Sequence, residues 1–189
     1  GTKVKEDELI FEEKSEAFTV GIDLTSDEKY FLITTSDHNT SEQYYFNVDE
    51  VLPKPRLIKK RNKGILYSVN SWDGKFYNHT NENAEDFKID ITTNLDEPDW
   101  KTFIAAKDEV LIGGLTFLKN WIIRSETSDA LDKLFVKNIR TGIEEKLIFS
   151  DEIVYVPGAS LVQKDKNTDK IYLGYSSPKT QSRVYSYNL

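Results

Sequence analysis

Ser26-Asp27-Glu28-Lys29 runs directly into Tyr30-Phe31-Leu32-Ile33, a polar turn that delivers an apolar strand. The pairing returns as Asp73-Gly74-Lys75 into Phe76-Tyr77 and as Lys119-Asn120 into Trp121-Ile122-Ile123. It returns once more as Thr168-Asp169-Lys170 into Ile171-Tyr172-Leu173. A loop rich in Ser, Thr and Asn follows each strand: Thr35 to Thr40, Thr80 to Ala84, Ser125 to Asp129, and Ser176 to Thr180. Self-similarity at a period of about 45 residues, with four short strands per unit, is the mark of β-propeller blades. The repeat absorbs nearly the whole chain and leaves little room for a catalytic domain.

Period-two alternation places the strands. The expected sets are Ala17–Leu24, Lys29–Thr35, Gln43–Val48 and Arg56–Lys59, then Gly64–Asn70, Lys75–His79, Phe87–Thr92 and Lys101–Ala105. A third set covers Val110–Phe117, Asn120–Ser125, Lys133–Asn138 and Glu145–Phe149. The last set holds three strands: Val154–Leu161, Lys170–Ser176 and Arg183–Tyr187. Phe18, Val20 and Ile22 share one face of a strand, as do Phe87, Ile89 and Ile91. Gly74 and Gly142 stand where tight turns want positive φ. No segment shows a sustained helical period, and Glu82 to Asp86 supports one short turn at most. The expected fold is all-β, about four four-stranded antiparallel blades, with repeats near 17–59, 63–105, 110–149 and 154–189. An isolated strand is expected near Leu9 to Glu13. It reads as the outer strand of a preceding blade, of the kind the last blade lacks, and so as a segment able to complete that blade. Residues 1–7, opening Gly1-Thr2-Lys3 without Met, read as a tag remnant or linker.

Composition narrows the function classes. Aromatics reach 12%, with 10 Tyr and 10 Phe, and such residues favour pleated, half-buried surfaces. The net charge of -7 argues against binding through phosphates, which needs dense Lys and Arg. The one basic run, Lys59-Lys60-Arg61 with Lys63, reads as a solvated turn between strands. No apolar run approaches the roughly 20 residues that span a bilayer. With no cysteine, disulfides and thiolate metal sites are excluded.

Catalytic signals are thin. His38 and His79 stand at expected loop positions without the convergent ligands a metal site requires. No Gly-x-Ser-x-Gly elbow occurs. Gly113-Gly114 is too short for a phosphate loop and marks a bulge or a close backbone approach. The Ser/Thr/Asn loops would present hydroxyls and amides at one edge, but such residues ordinarily close hairpins by local side-chain to backbone bonds. No catalytic, metal or cofactor-binding residue is assigned, and no cofactor is expected.

The ending Tyr175-Ser176-Ser177-Pro178-Lys179-Thr180-Gln181-Ser182-Arg183-Val184-Tyr185-Ser186-Tyr187 resembles the end of the propeller in the oligopeptidase B branch of the prolyl oligopeptidase family. In the family pattern a Pro stands where this chain has Gln181, and an Asp where it has Ser186. Phe11-Glu12-Glu13-Lys14 before Phe18, Thr40-Ser41-Glu42, Tyr67-Ser68-Val69 and the run Tyr77 to Ala84 resemble the same family in order and spacing.

The resemblance implies a seven-bladed propeller capping the α/β-hydrolase domain of a serine peptidase. Such a cap admits only short peptides to a Ser-Asp-His triad, and the oligopeptidase B branch cleaves after Lys or Arg. None of the triad residues is found here, so the expected role is a non-catalytic gate whose parent is the enzyme. The implied partners are the peptidase domain of the same chain and short peptides. The resemblance also implies a cytoplasmic location, and neither nucleic acid nor membrane is expected as a partner. Self-association of the isolated segment is a further expectation. The alternative reading is an independent propeller-like scaffold that binds protein or glycan on its loop face.

Overall fold

The computed structural model describes residues 7–148, 158–160, 166–177 and 180–189. Gly1-Thr2-Lys3, the expected strand residues Phe149 and Val154 to Pro157, and the loop residues Pro178-Lys179 lie outside the described residues. The chain divides into two compact units, residues 1–105 and 106–189. Every strand pairing within them is antiparallel.

The first unit holds two four-stranded sheets. One runs β1 (Thr19–Leu24), β2 (Tyr30–Ser36), β3 (Ser41–Asn47), β4 (Arg56–Lys59), and strand order follows chain order. The next repeats the plan with β5 (Tyr67–Trp72), β6 (Lys75–Thr80), β7 (Lys88–Thr92) and β8 (Lys101–Ile104). Alternation gives each sheet one apolar face. Leu32, Tyr45 and Ile58 of the first sheet meet Tyr67, Val69 and Phe76 of the second, with Leu95 closing the cluster. Tyr30 and Trp100 pack on its margin.

The first strand of the second sheet has a bare edge, and side chains of the first sheet pair it. The Ser41 hydroxyl accepts from the Tyr67 amide at 2.7 Å and donates to the Tyr67 carbonyl at 2.8 Å. The Gln43 side-chain oxygen accepts from the Val69 amide at 2.7 Å. Two residues further on, the Ser71 amide turns to Asn70 Oδ1, which also accepts from the Ser26 amide. Alternate residues of β5 thus find side-chain partners where a strand would otherwise stand.

The second unit follows the same plan. β9 (Leu111–Leu118), β10 (Trp121–Ser128), β11 (Leu131–Asn138) and β12 (Glu144–Lys146) form one sheet. β13 (Gly158–Ser160), β14 (Lys170–Ser177) and β15 (Thr180–Asn188) form another. Leu118, Ile123, Leu134, Val136 and Leu147 pack against Ile171 and Leu173.

One expectation needs correction. Leu9 to Glu13 forms no strand and does not complete the last sheet. Phe11 instead packs on Tyr44 of β3 at 4.8 Å, and Glu13 pairs with Arg61, so the segment belongs to the first sheet's surface. Leu9 and Ile10 are left exposed, so the apolar pair that suggested a buried strand finds no core here. Val20 and Ile22 do share a face, yet they are 52% and 57% exposed. Alternation reports which residues lie on one side of a strand, not which side has a neighbour.

Turn chemistry matches the expected glycine sites. Asp73-Gly74 closes the β5–β6 hairpin with φ of 51° and 71°. Asp129-Ala130 closes β10–β11 with φ of 54° and 57°, so an alanine occupies a left-handed position. Ala130→Gly should raise stability by about 0.5–1 kcal/mol in urea unfolding, because the left-handed penalty exceeds the entropy cost of glycine. Gln43→Ala should lower it by about 1–3 kcal/mol, since the Val69 amide is left buried and unpaired. An unchanged midpoint for Gln43→Ala would remove the edge-pairing role.

Candidate functional site

The polar loops of the first unit are consumed by their own backbone. Asp37 Oδ1 accepts from the Asn39 amide at 2.9 Å and the Thr40 amide at 2.7 Å. These bonds, the Asn39 one first, hold its carboxyl below the usual range. Asn81 Oδ1 accepts from the Leu66 amide at 2.8 Å while its side-chain amide donates to the Gly64 carbonyl at 3.0 Å. Thr40 Oγ1 accepts from the Gly64 amide at 3.1 Å. The loops after β2 and β6 are therefore both tied to the β4–β5 connection. Hydroxyls and amides close turns here, as side chains of this type do locally.

The basic run is likewise structural. Lys59 pairs with Glu82. Arg61 is the centre of a shared ion cluster: its guanidinium reaches Glu13 at 2.5 Å and Glu42 at 3.0 Å. Its backbone amide also donates to Glu42 at 2.8 Å, and the ring of Phe18 lies 4.2 Å below the guanidinium. The Tyr44 hydroxyl donates to Glu42 at 2.8 Å. Burial alone would push the Glu42 carboxyl up, but the bonds from Arg61 and Tyr44 outweigh it and hold it low. Tyr44 is pushed up to about 12, first by burial and then by its bond to Glu42. Glu13 is held low by the Ser15 amide first and by Arg61 second.

The second unit carries a comparable cluster. Arg124 is buried and donates to Glu126 at 2.9 Å and to both oxygens of Glu144 at 2.8 and 3.0 Å. Lys107 adds a bond to Glu126 at 2.6 Å, and Phe135 lies beneath both cations. The Arg124 fork holds the Glu144 carboxyl low. The chain reaches this geometry through a register shift between Arg124 and Glu126, opposite Gly113. A Cβ on Gly113 would stand 2.1 Å from Ser125 Oγ, which confirms the close approach expected there.

His38 is exposed at a loop tip. His79 is not in a loop. It lies in β6, stacked on Phe87 at 4.6 Å and 16°. Among the described residues no group of three or more His, Asp or Glu is placed to hold a metal. Sequence reasoning missed both ion clusters. The signal for the first was the strict alternation Ser41-Glu42-Gln43-Tyr44, which sends Ser41 and Gln43 to one neighbour and Glu42 and Tyr44 to another.

These carboxylates fix the pH response. Glu13, Glu42 and Glu144 sit below the usual value when folded, so each stabilises the fold above about pH 4.5 and loses that contribution as pH falls through its folded value. Thermal melts from pH 7 to pH 3 should show this loss. Glu42→Gln should cost about 1.5–3 kcal/mol at pH 7 and flatten the acid limb, since it removes the buried charge that accepts from Arg61 and Tyr44, while the half-buried Arg61 keeps Glu13. An acid limb as steep as that of the parent chain would show that Glu42 is not part of the response.

A family model described as the prolyl oligopeptidase N-terminal β-propeller domain matches residues 1–189. Protease 2 of Moraxella lacunata is 27% identical over 189 residues, covering 100% of this chain and 27% of that protein. Dipeptidyl aminopeptidase BI of Pseudoxanthomonas mexicana is 25% identical over 196 residues, covering 100% of this chain and 26% of that protein. The chain thus spans about a quarter of the length of these curated relatives. Among solved structures, oligopeptidase B from Trypanosoma brucei with covalently bound antipain superposes with a TM-score of 0.89 at 20% identity. That match covers 100% of this chain and 28% of the structure. Oligopeptidase B from Leishmania major gives 0.87 at 16% identity, with 100% and 28% covered. Stitched antiparallel sheets of this plan, matched along every residue, make the chain a member of the prolyl oligopeptidase N-terminal β-propeller family.

Proposed function

We propose that this chain is the access-restricting propeller segment of a serine oligopeptidase that cleaves short peptides after Lys or Arg, and that the segment itself is non-catalytic. The observation that carries the reading is the propeller-domain match over all 189 residues, with relatives named as peptidases nearly four times as long. On this reading the peptidase domain of the same polypeptide is the partner, short peptides are the substrates that pass, and the cytoplasm is the compartment.

The physics of the sheets suits a filter. A wall that excludes by size must keep its openings narrow, and neighbouring sheets joined only by apolar contact can slide. Here directional bonds from Ser41 and Gln43 to the β5 backbone oppose sliding. Loops tied to the β4–β5 connection resist splaying in the same way.

Two assays test the reading. The 189-residue chain, incubated with short Lys- and Arg-containing chromogenic peptides, should give no turnover above buffer, because no nucleophile elbow is present. Turnover that survives repurification would overturn the non-catalytic assignment. The full-length polypeptide carrying these residues should cleave such peptides and spare unfolded casein, and Gln43→Ala should raise the casein-to-peptide rate ratio. Equal rates on casein and peptide would overturn the gate. Cleavage restricted to other residues would overturn the Lys/Arg preference, and a full-length product without peptidase activity would favour a binding scaffold instead.

A further inference from the structure

Between the two sheets of the first unit, where β3 ends and β4 begins, lies a cavity of about 200 Å³. Part of its lining is apolar: Tyr30 and Phe76, with ring centroids 5.2 Å apart, and the buried Leu95. The rest is polar. Arg56, the first residue of β4, faces it together with Asp96 of the loop after β7 and the side chains of Asn47 and Asn94.

Arg56 is held in place without being used up. Its guanidinium lies 4.5 Å over the Tyr45 ring, and Nη2 donates to Glu50 at 2.8 Å. Nη1 stands 4.0 Å from Asp96 Oδ1, too far for a hydrogen bond. Asp96 Oδ1 is instead fixed by the Tyr45 hydroxyl, which donates to it at 2.5 Å. Burial first, and then this bond, pushes Tyr45 up to about 12, so the phenol stays neutral and keeps donating. The second oxygen of Asp96 has no protein partner among the described residues, and the side chain is 64% exposed. A spare donor and a spare acceptor thus stand side by side without meeting. Two carboxylates, Glu50 and Asp96, face the one guanidinium, and that balance disfavours an anion. A bare cation would satisfy Asp96 and leave Nη1 unpaired. The amino terminus of a peptide carries both complements, an ammonium and a carbonyl oxygen three bonds away, about 3 Å apart.

We propose that this cavity binds the free amino terminus of a short peptide: Asp96 accepts from its ammonium, Arg56 Nη1 donates to its first carbonyl, and an apolar first side chain rests against Tyr30, Phe76 and Leu95. The volume admits one residue, so the peptide is gripped by its end and the remainder leaves past Asp96. The inference takes from the gating reading only that short peptides reach this chain. Direct binding tests the site without any peptidase assay, so failure of the gate and failure of the site are separate results.

The test titrates the 189-residue chain, labelled with nitrogen-15, with the peptide Leu-Gly-Gly. Saturable shifts should appear at the backbone amides of residues 93–96 and at the side-chain amides of Asn47 and Asn94. Acetyl-Leu-Gly-Gly should bind roughly tenfold more weakly or worse, because the charged hydrogen bond to Asp96 is gone. Gly-Gly-Gly should lose about tenfold through the missing apolar contact. Asp96→Asn in the chain should weaken Leu-Gly-Gly about tenfold. Its amide oxygen can still accept from Tyr45, so an unchanged melt is expected. The comparison of free and acetylated peptide uses the parent chain, so it decides the matter even where the variant unfolds. Absence of saturable shifts at millimolar Leu-Gly-Gly overturns the proposal. So do equal affinities for the free and acetylated peptides, or shifts confined to other residues. Acetyl-lysine amide binding as tightly as Leu-Gly-Gly would assign the site to a side-chain cation and overturn the amino terminus.

Discussion

An antiparallel sheet cannot end without leaving a row of backbone donors and acceptors unpaired, and the first unit is organised around that constraint. β5 begins a sheet, so its outward amides at Tyr67 and Val69 have no strand to meet. The Ser41 hydroxyl and the Gln43 amide oxygen meet them instead. A hydroxyl suits the task because it can accept and donate at once, which Ser41 does toward both polar groups of Tyr67. The Tyr67 phenol returns the contact by accepting from the Gln43 backbone N–H at 2.7 Å and donating to the Lys59 carbonyl at 2.6 Å. Burial drives the Tyr67 pKa upward, so the phenol stays neutral and able to donate.

The same strand faces two ways, and this explains where the charge goes. With period two, β3 sends Ser41 and Gln43 toward β5 and Glu42 and Tyr44 to the opposite face. On that opposite face Glu42 gathers Arg61, and Arg61 gathers Glu13. One short strand therefore fixes the next sheet by hydrogen bonds and anchors the preceding segment by an ion cluster. Arg124 performs a similar gathering in the second unit, joining Glu126 of its own strand to Glu144 of another. Buried pairs of this kind contribute modestly as pairs but are costly to break singly. Charge in this chain goes into holding strands in register.

The legible part of the fold was whatever depends on local pattern. Turn chemistry and alternation located the strands of all four sheets, and Gly113 was readable as a close approach because glycine inside a strand has few other uses. The resemblance in Tyr67-Ser68-Val69 and Thr40-Ser41-Glu42 pointed at segments that turn out to touch, though it did not say why. The illegible part was long-range. Leu9, Ile10 and Phe11 look like a strand because strand propensity is a statement about side chains, while a strand exists only where a second backbone pairs with it. None does here, so the segment lies on the sheet through Phe11 and Glu13. His79 was misplaced in a loop because its neighbours Asn78 and Thr80 are polar. Both are buried in β6, a strand covered on either side, where polarity no longer signals exposure.

The chain's lean hydrophobic content of 38% then has a physical reading. Apolar contact is non-directional and tolerates sliding between sheets; hydrogen bonds from side chain to backbone do not. A slip of β5 by one residue would carry the Tyr67 and Val69 amides away from Ser41 and Gln43 and turn Val69 out of the apolar cluster. Both penalties fall together. Register between sheets is therefore set by few residues, each serving twice, and a smaller core suffices because it need not supply that specificity. The requirement is chemical as much as steric. An alanine or valine at position 43 could preserve packing and still lose the register, because only a side-chain acceptor reaches the Val69 amide. The polar residues between these sheets are, in this sense, the missing strand.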